Sequence, residues 1–297
     1  MTKIFGRMLL LSVVIVSAST TGSFSFQPIG NYPNAFVTYA RGLNSNGAIV
    51  GLYQPPGGFY HGYLQVGKTY KTIEPPGVLA SYLQGINDKG VAVGGYCDTA
   101  SCNGGSSQHG YLHRNGRYTK FDYPATGSTT TPQGINNLGQ IVGGYCLTGF
   151  SCSGGPGPSL HAFLLQNGIF TTLDFPGALG TQANAINDSG SVVGFYEDSS
   201  TMTHAYICQN GSFTRLDFPN SQWTAALGIN NVGTISGIYE DNSLVTHGFT
   251  YANGTFTRVD PPNSTASGLG GISNKGDVTA TANVNNVSAN YIGLPRK

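Results

Sequence analysis

The tripeptide Gly-Ile-Asn, or a near copy of it, occurs six times along the chain, beginning at Gly42, Gly85, Gly134, Ala185, Gly228 and Gly271. The intervals are 43, 49, 51, 43 and 43 residues. A period of this length marks a supersecondary unit that cannot bury its apolar face alone and must stack on copies of itself. The two long intervals hold the cysteine-containing stretches 97–102 and 146–152, which read as insertions into a unit of about 43 residues.

Each unit divides into four strands. In the fifth, Thr224–Ile229 turns through Asn-Asn-Val-Gly into Thr234–Glu240; a loop then leads to Thr246–Ala252, and Asn253-Gly254 turns into Thr255–Asp260. Asn-Gly between apolar runs is a two-residue hairpin signal, because both turn positions need positive φ. Second strands such as Gln-Ile-Val-Gly-Gly-Tyr and Ser-Val-Val-Gly-Phe-Tyr do not alternate, so both of their faces require cover from neighbouring sheets. Four-stranded meanders stacked face to face around an axis make a β-propeller.

The ends of the repeat array complement each other. Ser23–Gly30 resembles Tyr70–Gly77, a fourth strand lacking the first three, while the region from Gly271 onward supplies three strands without a fourth. The expectation is an all-β, six-bladed propeller of four-stranded antiparallel blades, closed by the N-terminal strand completing the last blade, which removes two exposed sheet edges. An open β-solenoid is the alternative; it gives no reason for complementary partial repeats.

His161-Ala-Phe163, with Gly-Ile-Asn and Ile-Val-Gly-Gly-Tyr ahead of it and Leu-Asp-Phe-Pro-Gly behind, resembles the HAF-repeat family of bacterial extracellular proteins. The resemblance covers residues 21–297 as a single domain of six such repeats. It implies secretion and brings no catalytic residues with it.

Each of five repeats carries a histidine and a carboxylate on either side of its hairpin turn. Counting outward from Asn210-Gly211 sets His204 opposite Asp217; the same count pairs His247 with Asp260, His161 with Asp174, His109 with Asp122 and His61 with Glu74. Directly opposed side chains lie about 5 Å apart at Cβ, within reach of an imidazole–carboxylate hydrogen bond. In the sixth repeat the partner of Gln27 is expected near Ala289 or Asn290, and both members of the pair are missing. A ring of acid–base dyads or a multi-histidine metal site is the functional reading. A cross-strand pin is the structural one and is preferred, because catalysis needs one asymmetric constellation and this feature is repeated five times. Tyr53, Tyr96, Tyr145, Tyr196 and Tyr239, each ending a second strand, read as residues packed between blades. Asn87, Asn136, Asn187 and Asn230 read as turn formers.

A net charge of +1 with 9% charged residues gives no electrostatic case for nucleic acid or an anionic membrane. Lys3 and Arg7 ahead of the apolar run Met8–Val16, followed by small residues at Val16–Ser19, read as a signal peptide over residues 1–20. The expected address is secreted or extracellular, with the periplasm or cell surface as variants, and the expected state is a monomer. Export suits two local disulfides, Cys97–Cys102 and Cys146–Cys152, with Cys208 a buried free thiol. Four zinc-bound thiolates are the alternative, but neither spacing is usual for zinc.

The meander sends the loops between second and third strands, and the connections between repeats, to one face. That face carries the cysteine loops, Glu197-Asp198, Glu240-Asp241 and Trp223, the single tryptophan. The acidic pairs could take Ca²⁺, but no further acidic spacing supports it, and no metal or cofactor is expected. Arg41, Gln84, Gln133 and Asn184 share one position on the first strands and are expected to line a polar channel. The function expected is a non-enzymatic propeller binding a glycan, peptide or surface protein through its loop face; the alternative is a hydrolase or lyase with its site at the channel mouth.

Overall fold

The computed structural model describes residues 24–99, 108–147 and 159–296. Six four-stranded antiparallel sheets form a closed ring, a six-bladed β-propeller. Blade 1 comprises Val37–Leu43, Ala48–Gln54, His61–Val66 and Thr69–Thr72; the first strands of blades 2 to 5 are Ala80–Ile86, Thr129–Ile135, Gly180–Ile186 and Trp223–Ile229. Blade 6 is built from Ala266–Ile272, Val278–Val284 and Val287–Pro295, with Phe24–Ile29 as its outermost strand. The N-terminal strand therefore closes the ring.

The hairpin signal acts through φ, as the residue types require. Asn115, Asn167, Asn210 and Asn253 sit at φ 50°, 53°, 51° and 50°, each followed by a glycine at φ 77–79°. Second strands are buried on both faces, completely so for Ala92–Cys97 and Ile141–Cys146. The core is accordingly divided among the blade interfaces: Val142 and Ala162 of blade 3 pack with Val192, Tyr196 and Tyr206 of blade 4, and the pattern repeats around the ring.

The glycine of Gly-Ile-Asn is required by how closely first strands approach one another at the axis. A Cβ on Gly85 would lie 2.7 Å from the Gln133 carbonyl oxygen, and one on Gly134 would lie 2.7 Å from that of Asn184. Just before this glycine every first strand is irregular in register. The extra residue is Arg41, Gln84, Gln133, Asn184 and Leu227 in blades 1 to 5, and Gly270-Gly271 in blade 6. A bulge leaves its residue out of the ladder and re-aims its side chain.

One register differs from the sequence expectation. Gln27 pairs with Ile292, not with Ala289 or Asn290, and Ile29 is the residue opposite Asn290. The N-terminal strand is slid by three residues relative to the other fourth strands, which buries Ile29 and leaves Gln27 exposed. Asn290 stands where other blades have Gly or Ala; it is buried, accepts from the Ala40 N–H at 3.2 Å and donates to the Thr38 carbonyl at 2.7 Å.

The signal-peptide stretch, Cys102 and Cys152 lie outside the described residues. Cys97 and Cys146 are buried at the loop-face ends of their strands, and Cys208 is a buried free thiol. Among the described residues no helix is long and apolar enough to cross a membrane.

Candidate functional site

Three sets of side chains stand out from the repeat: the imidazole–carboxylate pairs on the loop face, the channel lining, and the polar ring at the turn face.

All five counted pairs meet. Imidazole Nδ1 lies 2.7 Å from the carboxylate in His61–Glu74 and His161–Asp174, 2.8 Å in His204–Asp217, 3.0 Å in His109–Asp122 and 3.1 Å in His247–Asp260. The carboxylates also accept backbone N–H bonds, from Ala162, Ala205 and Gly248 in blades 3 to 5. In these three blades the pin thus fixes the outer hairpin twice.

Blades 4 and 5 add more. Asp198 and Asp241 reach the second ring nitrogen of His204 and His247, at 3.2 Å each. Their other oxygens cap their own loops, taking the N–H groups of Ser200 and Met202 and of Ser243 and Val245. Those backbone N–H donors lead in holding both carboxyls below the usual aspartate range, against a smaller opposing effect of burial, with the imidazole contributing further. Arg215 and Arg258 pair with Asp217 and Asp260, both at 2.5 Å. His204 and His247 are almost fully buried in these clusters, with side chains 8% and 7% exposed, which leaves no room for a substrate to reach either ring.

Four of the five tyrosines that end the second strands, all but Tyr96, are stacked on an aromatic of the connection between blades. Tyr32 lies on Tyr53, Tyr123 on Tyr145, Phe175 on Tyr196 and Phe218 on Tyr239, with ring centroids 3.6–3.7 Å apart and near-parallel planes. Each pair joins the connection from one blade to the second strand of the next. Such contacts contribute about 0.5–1.5 kcal/mol beyond buried area.

The remaining loop-face residues have distinct placements. Glu197 ends its strand buried, and its Oε2 has no hydrogen-bond partner among the described residues. Trp223 opens the first strand of blade 5 directly opposite Glu240, and both are half-buried. Phe36, Phe59 and Tyr60 of blade 1 are exposed aromatics on the same face.

The channel holds two chambers. Leu43, Ile86, Ile135, Ile186, Ile229 and Ile272 form an apolar collar that borders both. On the loop side, a cavity of about 80 Å³ is lined by Gln84, Gln133, Asn184 and Leu227, four of the bulge residues. Of the four residues expected to line a polar channel, Gln84, Gln133 and Asn184 do so here; Arg41 does not border this chamber, although its neighbours Gly42 and Leu43 do.

On the turn side, a cavity of about 60 Å³ is bordered by two belts. Asn44, Asn87, Asn136, Asn187 and Asn230 each donate Nδ2–H to the carbonyl of the equivalent residue one blade on, at 2.9–3.3 Å. The following residues close a full circle: backbone N–H groups of Ser45, Asp88, Asn137, Asp188 and Asn231 donate to the next blade's side chain at 2.8–2.9 Å, and the Asn274 N–H returns to Ser45 Oγ at 3.2 Å. The asparagines were expected only as turn formers. Their Oδ1 does shape the turn, but positive φ falls on Gly90, Gly139, Gly190 and Gly233 instead. Burial at the axis requires every amide to be bonded, and the neighbouring blade supplies the partner.

No family model matches the sequence, and no curated protein matches it. Solved structures do resemble it in fold. The fucose-specific lectin of Aleuria aurantia, described as a six-bladed β-propeller, aligns at TM-score 0.54 and 12% identity over 89% of this chain and 98% of the lectin. An arginine-to-alanine triple mutant of AofleA from Arthrobotrys oligospora aligns at TM-score 0.52 and 12% identity, over 91% and 86%. A Trypanosoma rangeli sialidase variant with trans-sialidase activity aligns at TM-score 0.51 and 11% identity, covering 93% of this chain and 59% of the sialidase.

Proposed function

We propose that the chain is an exported, non-enzymatic propeller that binds glycans through its loop face. The observation that carries this reading is the commitment of the repeated acid–base groups. Every described imidazole of the five pairs is bonded to its own carboxylate, and Asp198 and Asp241 are consumed by their loops and by His204 and His247. What faces outward is aromatic and neutral-polar: Phe36, Phe59, Tyr60, Trp223 beside Glu240, and the channel carboxamides Gln84 and Gln133. Aromatic faces with a few placed polar groups are the usual chemistry of a small-molecule site. The fold supports the reading, since Aleuria aurantia lectin uses the same architecture to recognise fucose.

A hydrolase or lyase at the channel mouth is the competing function. It is less favoured because no carboxylate is among the described residues lining the loop-side chamber. A glycan array run beside a glycosidase and lyase screen on purified protein separates the two. Glycan retention without turnover supports binding; turnover of any arrayed sugar overturns it. Export, the HAF-type repeat and the Cys97–Cys102 and Cys146–Cys152 disulfides belong to the same proposal. Peptide mapping without reduction should show both links and a free Cys208; four thiolates with stoichiometric zinc would refute the oxidised assignment.

A further inference from the structure

A net charge of +1 is an average, and the outer hairpins do not share it evenly. Residues 61–74 carry Lys68 and Lys71, and residues 109–122 carry Arg114, Arg117 and Lys120. The other three outer hairpins, 161–174, 204–217 and 247–260, hold only Arg215 and Arg258, each paired with an aspartate. Among the described residues none of the first five cations makes an ion pair, and all five are exposed. The carboxylates of their own hairpins, Glu74 and Asp122, are taken by His61 and His109. Blades 1 and 2 are neighbours, so the five unmatched cations share one stretch of the outer rim.

Strand alternation sorts these side chains between the two faces of each blade. Ile73 packs in the core between blades 1 and 2 with Tyr96 and Tyr111, and the Tyr111 hydroxyl donates to its carbonyl at 2.9 Å. Lys71, two residues before Ile73, therefore faces blade 2. His113, two residues after Tyr111, faces back toward blade 1. It is buried, its Nε2 accepts the Gly116 N–H at 3.2 Å, and its ring lies 5.2 Å from that of Tyr118. Burial and then the Lys71 charge lower its pKa, in keeping with that arrangement. Lys120 enters the same seam, with its Nζ 4.4 Å from the centre of the Tyr96 ring. Lys68, Arg114 and Arg117 flank the seam at the two hairpin turns. At the Lys71 position blades 2 to 5 have threonine, and no other blade has a histidine at the His113 position. At the Lys120 position blades 1 and 3 have threonine, and blades 4 and 5 have the two paired arginines. This charge is no requirement of the fold.

Like charges gathered on one rim repel each other, and an anionic partner relieves that repulsion. We infer that the rim of blades 1 and 2 is a docking edge for an acidic polysaccharide, whose sulfate or carboxylate groups pair with Lys71 and Lys120 in the seam and with Lys68, Arg114 and Arg117 beside it. The charge sets the sign of the partner. The edge strands Thr69–Thr72 and Arg117–Phe121 spread the cations along two neighbouring hairpins, which suits a linear chain bearing an acid on successive units. The rings argue against nucleic acid. Tyr118 lies against His113 and Tyr111, and Tyr70 against Tyr32 and Tyr63, so neither is the open stacking platform that single-stranded bases use.

The test titrates the purified chain with sulfated maltohexaose, hexagalacturonate, the neutral form of each, and a duplex oligonucleotide of matched charge. At least one acidic sugar should bind where its neutral form does not, and added salt should weaken it. Lys71→Thr/Lys120→Thr gives the seam the threonines that blade 3 has at these positions, Thr171 and Thr172. It should melt as wild type and lose roughly tenfold in affinity. Arg114→Gln/Arg117→Gln, at an exposed turn, should weaken binding likewise and serves if the first variant melts early. Lys89→Thr/Lys275→Thr removes the same charge from the turn face and should leave the affinity unchanged. Equal losses in the rim and turn-face variants would reduce the effect to net charge and overturn the edge. Failure of both acids to bind at low salt overturns it too, and tighter binding of the duplex would give the rim to nucleic acid. Neutral glycans retained by the loop face should be untouched by Lys71→Thr/Lys120→Thr, so the loop-face reading stands or falls separately.

Discussion

His204 and His61 occupy the same point of the repeat in different company. His61 has Glu74 at 2.7 Å and a side chain 25% exposed; His204 is 8% exposed and lies between Asp217 and Asp198, with Arg215 on the same oxygen of Asp217. Removing His204 takes a donor from the largely buried Asp217 and empties a buried imidazole site, so His204→Ala should cost about 1–3 kcal/mol, and His61→Ala less. Asp217→Asn is not mild here, because its new N–H₂ would face the donors His204 and Arg215. The His204→Ala/Asp217→Asn double mutant should cost less than the sum of the singles, since the partners touch. Chemical denaturation of the four proteins checks this; additive costs would refute the pin. Asp260 carries the same logic into pH. Burial alone would raise its carboxyl, but hydrogen bonds from Ser267 and Arg258 and the Arg258 charge hold it below the usual range. A carboxyl lowered on folding stabilises above its unfolded value, near about 4, and that contribution is lost as pH falls through the folded value. The gap in melting temperature between wild type and Asp260→Asn should therefore be full near neutrality and narrow below about pH 4. A gap constant across that range would show that the pair is not titrating as its hydrogen bonds require.

Within a blade, the legible parts were those with local causes. Strand number, Asn-Gly turns and the His–carboxylate register followed from residue spacing, since a two-residue turn leaves one way to count outward. The bulges, the stacking of Phe175 on Tyr196 and the asparagine belt were hidden, because each depends on where the neighbouring blade's backbone lies. Their sequence signals were present as repetition without an evident local use: an aromatic after the aspartate, and Asn or Asp after Gly-Ile-Asn. The slid register of Phe24–Ile29 was misread because Gln-Pro-Ile-Gly imitates Glu-Pro-Pro-Gly, while burial of Ile29 chose the pairing. The belt also has a gap that predicts a gain. Ser273 stands where five blades have asparagine, and its Oγ accepts from the Lys275 and Asp277 N–H groups as the asparagine Oδ1 does. It has no amide to send to the Asn44 carbonyl. Ser273→Asn should supply that sixth rung and add about 0.5–1.5 kcal/mol, a rise of roughly 2–4 °C per kcal/mol. Calorimetry decides it: a melting temperature at or below wild type would mean that the blade 6 to blade 1 gap is too wide for the rung.

At the scale of the ring, one junction differs from the other five. Blade 6 lacks the imidazole pin, and its seam with blade 1 is held by Asn290 on Thr38 and Ala40, by Thr279 Oγ1 on the Arg41 carbonyl and by Asn274 on Ser45. The chain adds topology to these bonds, since Phe24–Ile29 belongs to blade 6 while the next residues enter blade 1. Opening the seam therefore requires pulling a strand from its sheet. Two variants separate the strand's contacts from its connectivity. Deleting residues 23–30 removes Phe24, Phe26 and Ile29 from the clusters they pack in and bares the edge of Val287–Pro295, so it should aggregate or melt far below wild type. A circular permutant offers the contrast. Phe24 lies directly opposite Pro295, so an Asn-Gly turn can join them as it joins the outer strands of blades 2 to 5, with the new N-terminus at Asn31. That protein keeps every contact and loses the tie between blades 6 and 1. It should fold as a monomer with a melting temperature near wild type and unfold faster in a denaturant jump, because the seam can now part without breaking a sheet. A permutant that unfolds at the wild-type rate would place the closure in the hydrogen bonds of the seam alone, and a deletion variant that melts as wild type would show that the sixth blade does not need its fourth strand.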